Sequence, residues 1–357
     1  MNDLIAKEIL DLPFFFVIGR PRTGTTLIRT LLDVHPNAMI PPEAPIILQF
    51  FGKYGRVSDW SKEKLLEFYD DLMKEQEWVF LSIGNWPMDR DKLKRDLLAC
   101  EGKNTYANIC KIVNGNYKPY VDKDLVILGD KNPAYANKTK YLLKLYPDAK
   151  FVLIYRDHRD HIQSMNKVDF GNTIVPINAY RWRKYVRINQ KLTAKYPDRF
   201  FSFRYEDFVA NPKSYFRDMC DFLGIEHNDE VFEFYKLKEK VRGSENLEML
   251  EKYHSSLFRP ISTKNVGNWK ETLTDDQVLM ADAVVGKYAE RAGYERKFKR
   301  PGFKLKLKLF PIIVYLKVTD WIGELMMKYV DYDRFAKFLN RGPVFGLKYW
   351  KMVSSKS

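Results

Sequence analysis

Phe14-Phe15-Phe16-Val17-Ile18-Gly19-Arg20-Pro21-Arg22-Thr23-Gly24-Thr25-Thr26-Leu27-Ile28-Arg29-Thr30-Leu31-Leu32-Asp33-Val34-His35 decides the fold. Its first five residues are bulky and apolar, with the length of a buried strand, and the run stops at Gly19. After the loop, Leu27, Ile28, Leu31 and Leu32 recur at helical spacing. Strand, glycine loop and helix make a phosphate cradle, because the first N–H groups of a helix lack intrahelical partners and sit at its positive end. Gly24 allows close backbone approach, Thr23, Thr25 and Thr26 line the loop, and Arg22 offers a fork to phosphate or sulfate oxygens. A nucleoside-triphosphate loop ends in Gly-Lys-Ser/Thr, with the lysine reaching the terminal phosphates. Here Thr25 stands where that lysine belongs, so the loop suits a nucleotide with a different terminal group.

Further along the chain, strand-like runs end in polar residues. Met39-Ile40 reads as a short second strand, followed by Glu43 on a proline-rich loop. Glu43 is a site carboxylate if that strand is parallel and next to the first; otherwise it is a solvated loop glutamate or a helix cap. Leu125–Leu128 leads into Gly129-Asp130-Lys131-Asn132-Pro133, which puts Lys131 on the ligand side of a parallel sheet or on the surface. Lys150–Tyr155 is the clearest central strand; it ends in Arg156, with Ser164 on the helix beyond. An arginine plus a helix-borne hydroxyl forms a second phosphate site, so the ligand is a nucleotide phosphorylated at two places. His158 reads as a loop residue rather than a catalyst. Arg199–Tyr205 is a further strand, and 262–270 (STKNVGNWK) is either a lid over a nucleotide or a surface loop. Thr274 onward reads as a helix to Ala292. The alternation of β and α units predicts an α/β fold: a three-layer parallel sheet with a P-loop-like phosphate-binding loop and a helical C-terminal extension.

Residues 58–118 read as a helical insertion over the site, dense in aromatics (Trp60, Phe68, Tyr69, Trp78, Phe80, Trp86) for which core packing is the safer reading. The chain has 357 residues and net charge +14, of which residues 295–357 hold +10 (15 Lys/Arg against 5 Asp/Glu). The division is therefore a domain over 1–294 and a basic amphipathic extension over 295–357. Phe303–Phe310 (FKLKLKLF) alternates with period two, and Pro311 opens an apolar segment where helices accept proline. Val314, Val318, Trp321, Leu325 and Tyr329 form a stripe opposite Lys317, Asp320, Glu324 and Lys328, packed on the protein's own core or lying on a membrane surface. No stretch of 18 uncharged apolar residues exists, so nothing spans a bilayer. Three cysteines without metal-ligand or disulfide spacing, and no visible signal peptide, make a reducing cytoplasm the expected location, with peripheral membrane contact through 301–357. No nucleic-acid module and no metal cluster is expected, and the oligomeric state is not legible.

These residues resemble PAPS-dependent sulfotransferases (PAPS is 3′-phosphoadenosine 5′-phosphosulfate), over about Phe14 to Ala292. The family's 5′-phosphosulfate loop is matched by Gly19–Thr26, its 3′-phosphate motif by Tyr155-Arg156-Asp157 with Ser164, its strand-end Tyr-Glu-Asp by Tyr205-Glu206-Asp207, and its late nucleotide loop by Val266-Gly267-Asn268-Trp269-Lys270. Within the family the sequence is most similar to the tyrosylprotein and related sulfotransferases. There a loop arginine, a glutamate after the next strand and a lysine in an NKDP-like motif act together, at positions matched by Arg22, Glu43 and Lys131. Another arginine of that subgroup, a turn after the serine, is Val168 here, with Lys167 the nearest base, and the subgroup's secretory anchor and disulfide cysteines are missing. The resemblance implies PAPS as donor, no metal, and a catalytic set of Glu43, Arg22 and Lys131. It implies nucleotide contacts from Arg22, Thr23, Gly24, Thr25, Thr26, Arg156, Ser164, Tyr205, Asn268, Trp269 and Lys270. The expected reaction is sulfuryl transfer to a hydroxyl acceptor. With the basic amphipathic tail, the first expectation is a sterol or other lipid alcohol. A glycan or a phenolic or tyrosyl hydroxyl is the alternative, and a P-loop small-molecule kinase a more distant one.

Overall fold

The protein is described by a computed structural model covering residues 5–74, 83–119, 121–168, 173–237 and 258–326. Five parallel strands form the central sheet: β1 (Phe14–Gly19), β2 (Ala38–Met39), β3 (Ile127–Lys131), β4 (Lys150–Tyr155) and β5 (Phe200–Arg204). Their spatial order is β2-β3-β1-β4-β5. The bulk of β1 has a direct consequence. Phe14, Phe16 and Ile18 enter one core layer while Phe15 and Val17 enter the other, so a continuous apolar run is what a strand covered on both faces requires. Gly129 on β3 leaves room for the Phe15 ring, whose Cζ lies 2.4 Å from where a Cβ would stand.

Helices cover both faces. Helix α1 (Thr25–Val34) places Ile28, Leu31 and Leu32 in the second layer, beside Phe216 and Met219 of the helix Pro212–Leu223. The first layer is closed by α2 (Thr139–Leu145), α4 (Val175–Lys195), α5 (Asp275–Val285) and α6 (Phe303–Met326), while α3 (His158–Met165) follows β4. From β1 the chain first builds leftward to β2 and β3, then rightward to β4 and β5. The order reverses around β1, and the crevice at the carboxyl ends of the strands is where such sheets bind ligands.

Several expectations change. Strand β2 is parallel but pairs with β3, not β1, so Glu43 reaches the site by another route. The helix after Thr274 ends at Val285, because Gly286 takes φ +56°; a short turn, Tyr288–Arg291, follows. The period-two stretch 303–310 is helical and continues through Pro311 as one helix to Met326. Among its described residues, the 59–115 region holds a short antiparallel pair (Asp59–Trp60 with Gly102–Lys103) and three α-helices. Its Trp60, Phe68 and Trp86 are core residues; Trp78 and Phe80 lie outside the described residues.

Candidate active site

The loop after β1 is held by its own threonine and by left-handed backbone. Thr23 donates through Oγ1 to the Arg20 carbonyl at 2.7 Å and through its N–H at 3.2 Å. Arg22 (φ +66°) and Gly24 (φ +94°) lie in the left-handed region. Only glycine serves at 24, because a Cβ there would stand 2.5 Å from Tyr205 Cδ2. This turn delivers the backbone to the start of α1 with its N–H groups facing out of the cradle.

Arg22 and Arg156 meet at this loop. Arg156 donates from Nη1 to the Arg22 carbonyl and from Nη2 to the Asn265 carbonyl, both at 2.7 Å, and its guanidinium lies 4.7 Å from the Tyr205 ring centroid. Arg22 Nε donates to Ser164 Oγ at 3.2 Å. Trp182 fixes the end of β4 by donating to the Arg156 carbonyl at 2.8 Å. Burial, reinforced by the neighbouring charge of Arg156, lowers the Arg22 pKa. The late loop is tied down by α3: the Asp160 carboxylate accepts N–H bonds from Gly267 (2.6 Å) and Trp269 (3.0 Å). Arg159 grips Asp157 with two bonds and stacks on the Trp269 ring at 3.9 Å.

The second half of the site comes from β3 and the loop after β2. Lys131, the last residue of β3, is 1% exposed; its Nζ pairs with Glu43 Oε1 and lies 3.3 Å from Thr26 Oγ1. Burial lowers the Lys131 pKa, against the opposing pull of Glu43. Its neighbour Asp130, wholly buried, has its carboxyl pushed up to about 7 by desolvation and accepts a bond from Tyr135 Oη at 2.8 Å. Arg29 of α1 binds the Ile40 carbonyl (3.1 Å) and Asp33 (3.0 Å), so the Glu43 loop is pinned to the cradle helix.

Of the expected residues, Arg22, Thr26, Glu43, Lys131, Arg156, Ser164 and Tyr205 thus converge, and Thr23, Gly24 and Thr25 shape the loop between them. Asn268 and Trp269 belong to the tethered segment, but the contact to Arg156 is made by Asn265; Lys270 is exposed. Sequence reading missed Arg29, Arg159, Asp160 and Asn265. Asn265 lay inside the singled-out stretch 262–270, and Arg159-Asp160 sat in the charged run beginning at Arg156. His158 is a structural residue, buried at the head of α3 with Nε2 2.7 Å from Asp282 Oδ1. Arg20 is also buried, with Nε unpartnered; burial and nearby Arg181 lower its guanidinium to about 9.

The sulfotransferase family model matches residues 13–229, more than half of the chain and the whole of this geometry apart from the late loop. The chain belongs to the sulfotransferase family. As a member it is an enzyme, a sulfotransferase with PAPS as donor. This sulfotransferase is similar to protein-tyrosine sulfotransferase 1 of Danio rerio, 24% identical over 302 residues (82% of this chain, 75% of the relative). It is also similar to protein-tyrosine sulfotransferase 1 of Homo sapiens, 25% identical over 299 residues (82% and 72%). Among solved structures, the sulfotransferase domain of the Synechococcus PCC 7002 olefin synthase superposes with a TM-score of 0.50 at 18% identity, covering 76% of this chain and 94% of that one. That superposition speaks for the shared fold.

Proposed function

We propose that this sulfotransferase moves the sulfuryl group of PAPS onto a phenolic, tyrosyl-type hydroxyl, with Glu43 as the base. The observation that carries the reading is the convergence on one loop of two cation sets: Arg22 with Arg156 and Ser164, and Lys131 with Glu43. The donor fits this frame. Arg156 Nε is buried with no protein partner, the loop supplies N–H and hydroxyl donors, and Tyr205 offers a flat ring beside them. Arg156 and Ser164 would hold the 3′-phosphate, and residues 23–26 with Arg22 the 5′-phosphosulfate. When bound, PAPS supplies the sulfuryl group and a phosphate leaving group.

The protein residues do the rest. Glu43, paired with Lys131, would take the proton of the acceptor hydroxyl as its oxygen bonds to sulfur and the sulfur–oxygen bond to the phosphate breaks. A base so placed contributes typically about 10²–10⁴-fold. Arg22, Lys131 and the first N–H groups of α1 would stabilise the negative charge that grows on the departing oxygen. The relatives named above support a tyrosyl acceptor. A lipid alcohol is the second reading, favoured by the uncovered apolar face of α6. Incubation with labelled PAPS and a tyrosine peptide, a sterol and a glycan decides: label on the peptide supports the first reading, label on the sterol replaces it with the second. Phosphoryl transfer from Mg-ATP without any sulfuryl transfer would overturn both.

A further inference from the structure

Ten large apolar side chains are exposed among the described residues, and seven of them lie on α6. They are Phe303, Leu307, Phe310, Val314, Val318, Trp321 and Leu325, in steps of three and four, which places them in a strip about 80° wide at 100° per residue. Phe303 is 79% exposed and Trp321 66%. The opposite side of the same helix is packed: Leu309, Ile312 and Leu316 are buried in the first core layer. Asp320 secures it to α4, accepting from Tyr180 Oη and pairing with Lys184 Nζ, each at 2.9 Å. The helix is therefore apolar on two faces, one used by the fold and one not. A single apolar strip of this length on a soluble surface marks an interaction site.

The surroundings of the strip identify the partner. Lys304, Lys306 and Lys317 are exposed along its edges. Beyond Trp321 a groove of about 270 Å³ is lined by Lys140, Tyr141, Lys144, Trp321, Glu324 and Leu325. Lys140 and Lys144 are exposed, while Glu324 lies 3.8 Å from Lys184. A second copy docked here would bring the same net-positive border to this one, five exposed lysines against Glu324. Residues 327–357 of this chain carry seven Lys/Arg against two Asp/Glu, so they too mismatch a lysine border. No described helix is long and apolar enough to cross a membrane.

We propose that α6 lies flat on an anionic lipid surface, with Phe303 through Leu325 in the headgroup–acyl boundary and Lys140, Lys144, Lys304, Lys306 and Lys317 on the phosphates. Trp and Lys in this arrangement are suited to such a boundary. Each lysine contributes about fivefold to the partition coefficient on an anionic leaflet. The surface does not depend on the acceptor proposed above. Helix α6 packs on α4, whose Tyr185 Oη bonds the Ile18 and Ile154 carbonyls near the carboxyl ends of β1 and β4.

The test is sedimentation of the full chain with vesicles of phosphatidylcholine alone or with phosphatidylserine. Wild-type protein should bind the mixed vesicles, at least tenfold more weakly at 0.5 M salt, and should ignore pure phosphatidylcholine. Phe310→Glu with Trp321→Glu should cut binding at least tenfold with thermal stability unchanged, because both residues are exposed. Full binding by that double variant would assign the attraction to residues outside α6 and overturn the proposal. No wild-type binding would overturn it too, and a dimer that the double variant dissociates would assign the strip to a second copy instead.

Discussion

Glu43 and Lys131 are 88 residues apart in the chain and pair in the site. Each alone reads as an ordinary loop or strand-end charge; the contact gives them a role, and no local pattern in the sequence contains it. Glu43→Gln keeps size and hydrogen bonding but removes the base. It should lower kcat by about 10²–10⁴-fold while adenosine 3′,5′-bisphosphate binds within about threefold of wild type, as measured by rapid-quench assay and calorimetry. Asp130 yields a second prediction. Its folded pKa, about 7, lies above the ordinary 3.8, so the folded state holds the extra proton. Its contribution is full below pH about 4 and is lost as pH rises through about 7, up to about 4 kcal/mol. Asp130→Asn should flatten that decline, seen as a smaller drop in denaturant midpoint between pH 5 and pH 8 than wild type shows.

At the scale of elements, the cradle was legible because its signals are local: an apolar strand, a glycine at fixed spacing and a helix. The tether of the late loop was not, because Asp160 acts across 107 residues through backbone N–H groups that any sequence would offer. Asp160→Ala leaves those N–H groups without their carboxylate. It should weaken adenosine 3′,5′-bisphosphate binding by about tenfold and speed tryptic cleavage at Lys264 and Lys270, with little change in Tm; unaltered cleavage would mean the loop is held by other contacts. The helical extension is as the sequence predicts, but α6 begins at Phe303 rather than at Pro311, where the sequence reading opened it, for a physical reason. In 303–310 the leucines fall on both sides of the helix, so a helix with two apolar faces mimics the alternation of a strand. Pro311 sits on an exposed part of that helix.

For the whole molecule, the reversal of strand order around β1 gathers residues from five separate stretches at one end of the sheet. That arrangement follows from β3 and β4 flanking β1; β2 pairs with β3, which its two-residue length hid from sequence reading, and Glu43 still reaches the loop. The two-sided apolar strands and the layered order were legible; the acceptor side was not, since its determinants are surfaces rather than motifs. If α6 rests on lipid, sulfuryl transfer to a membrane-embedded acceptor should rise at least fivefold on anionic vesicles, while transfer to a soluble acceptor stays constant.

The central claim is that Arg22 and Arg156 hold opposite ends of one doubly phosphorylated adenosine. Calorimetric titration of wild type and Arg156→Ala with adenosine 3′,5′-bisphosphate and with 5′-AMP tests it directly. Wild type should prefer the bisphosphate by at least tenfold, and the variant should lose that preference while its affinity for 5′-AMP barely moves. Equal affinities of wild type for both nucleotides, or a preference that survives in Arg156→Ala, would contradict the account.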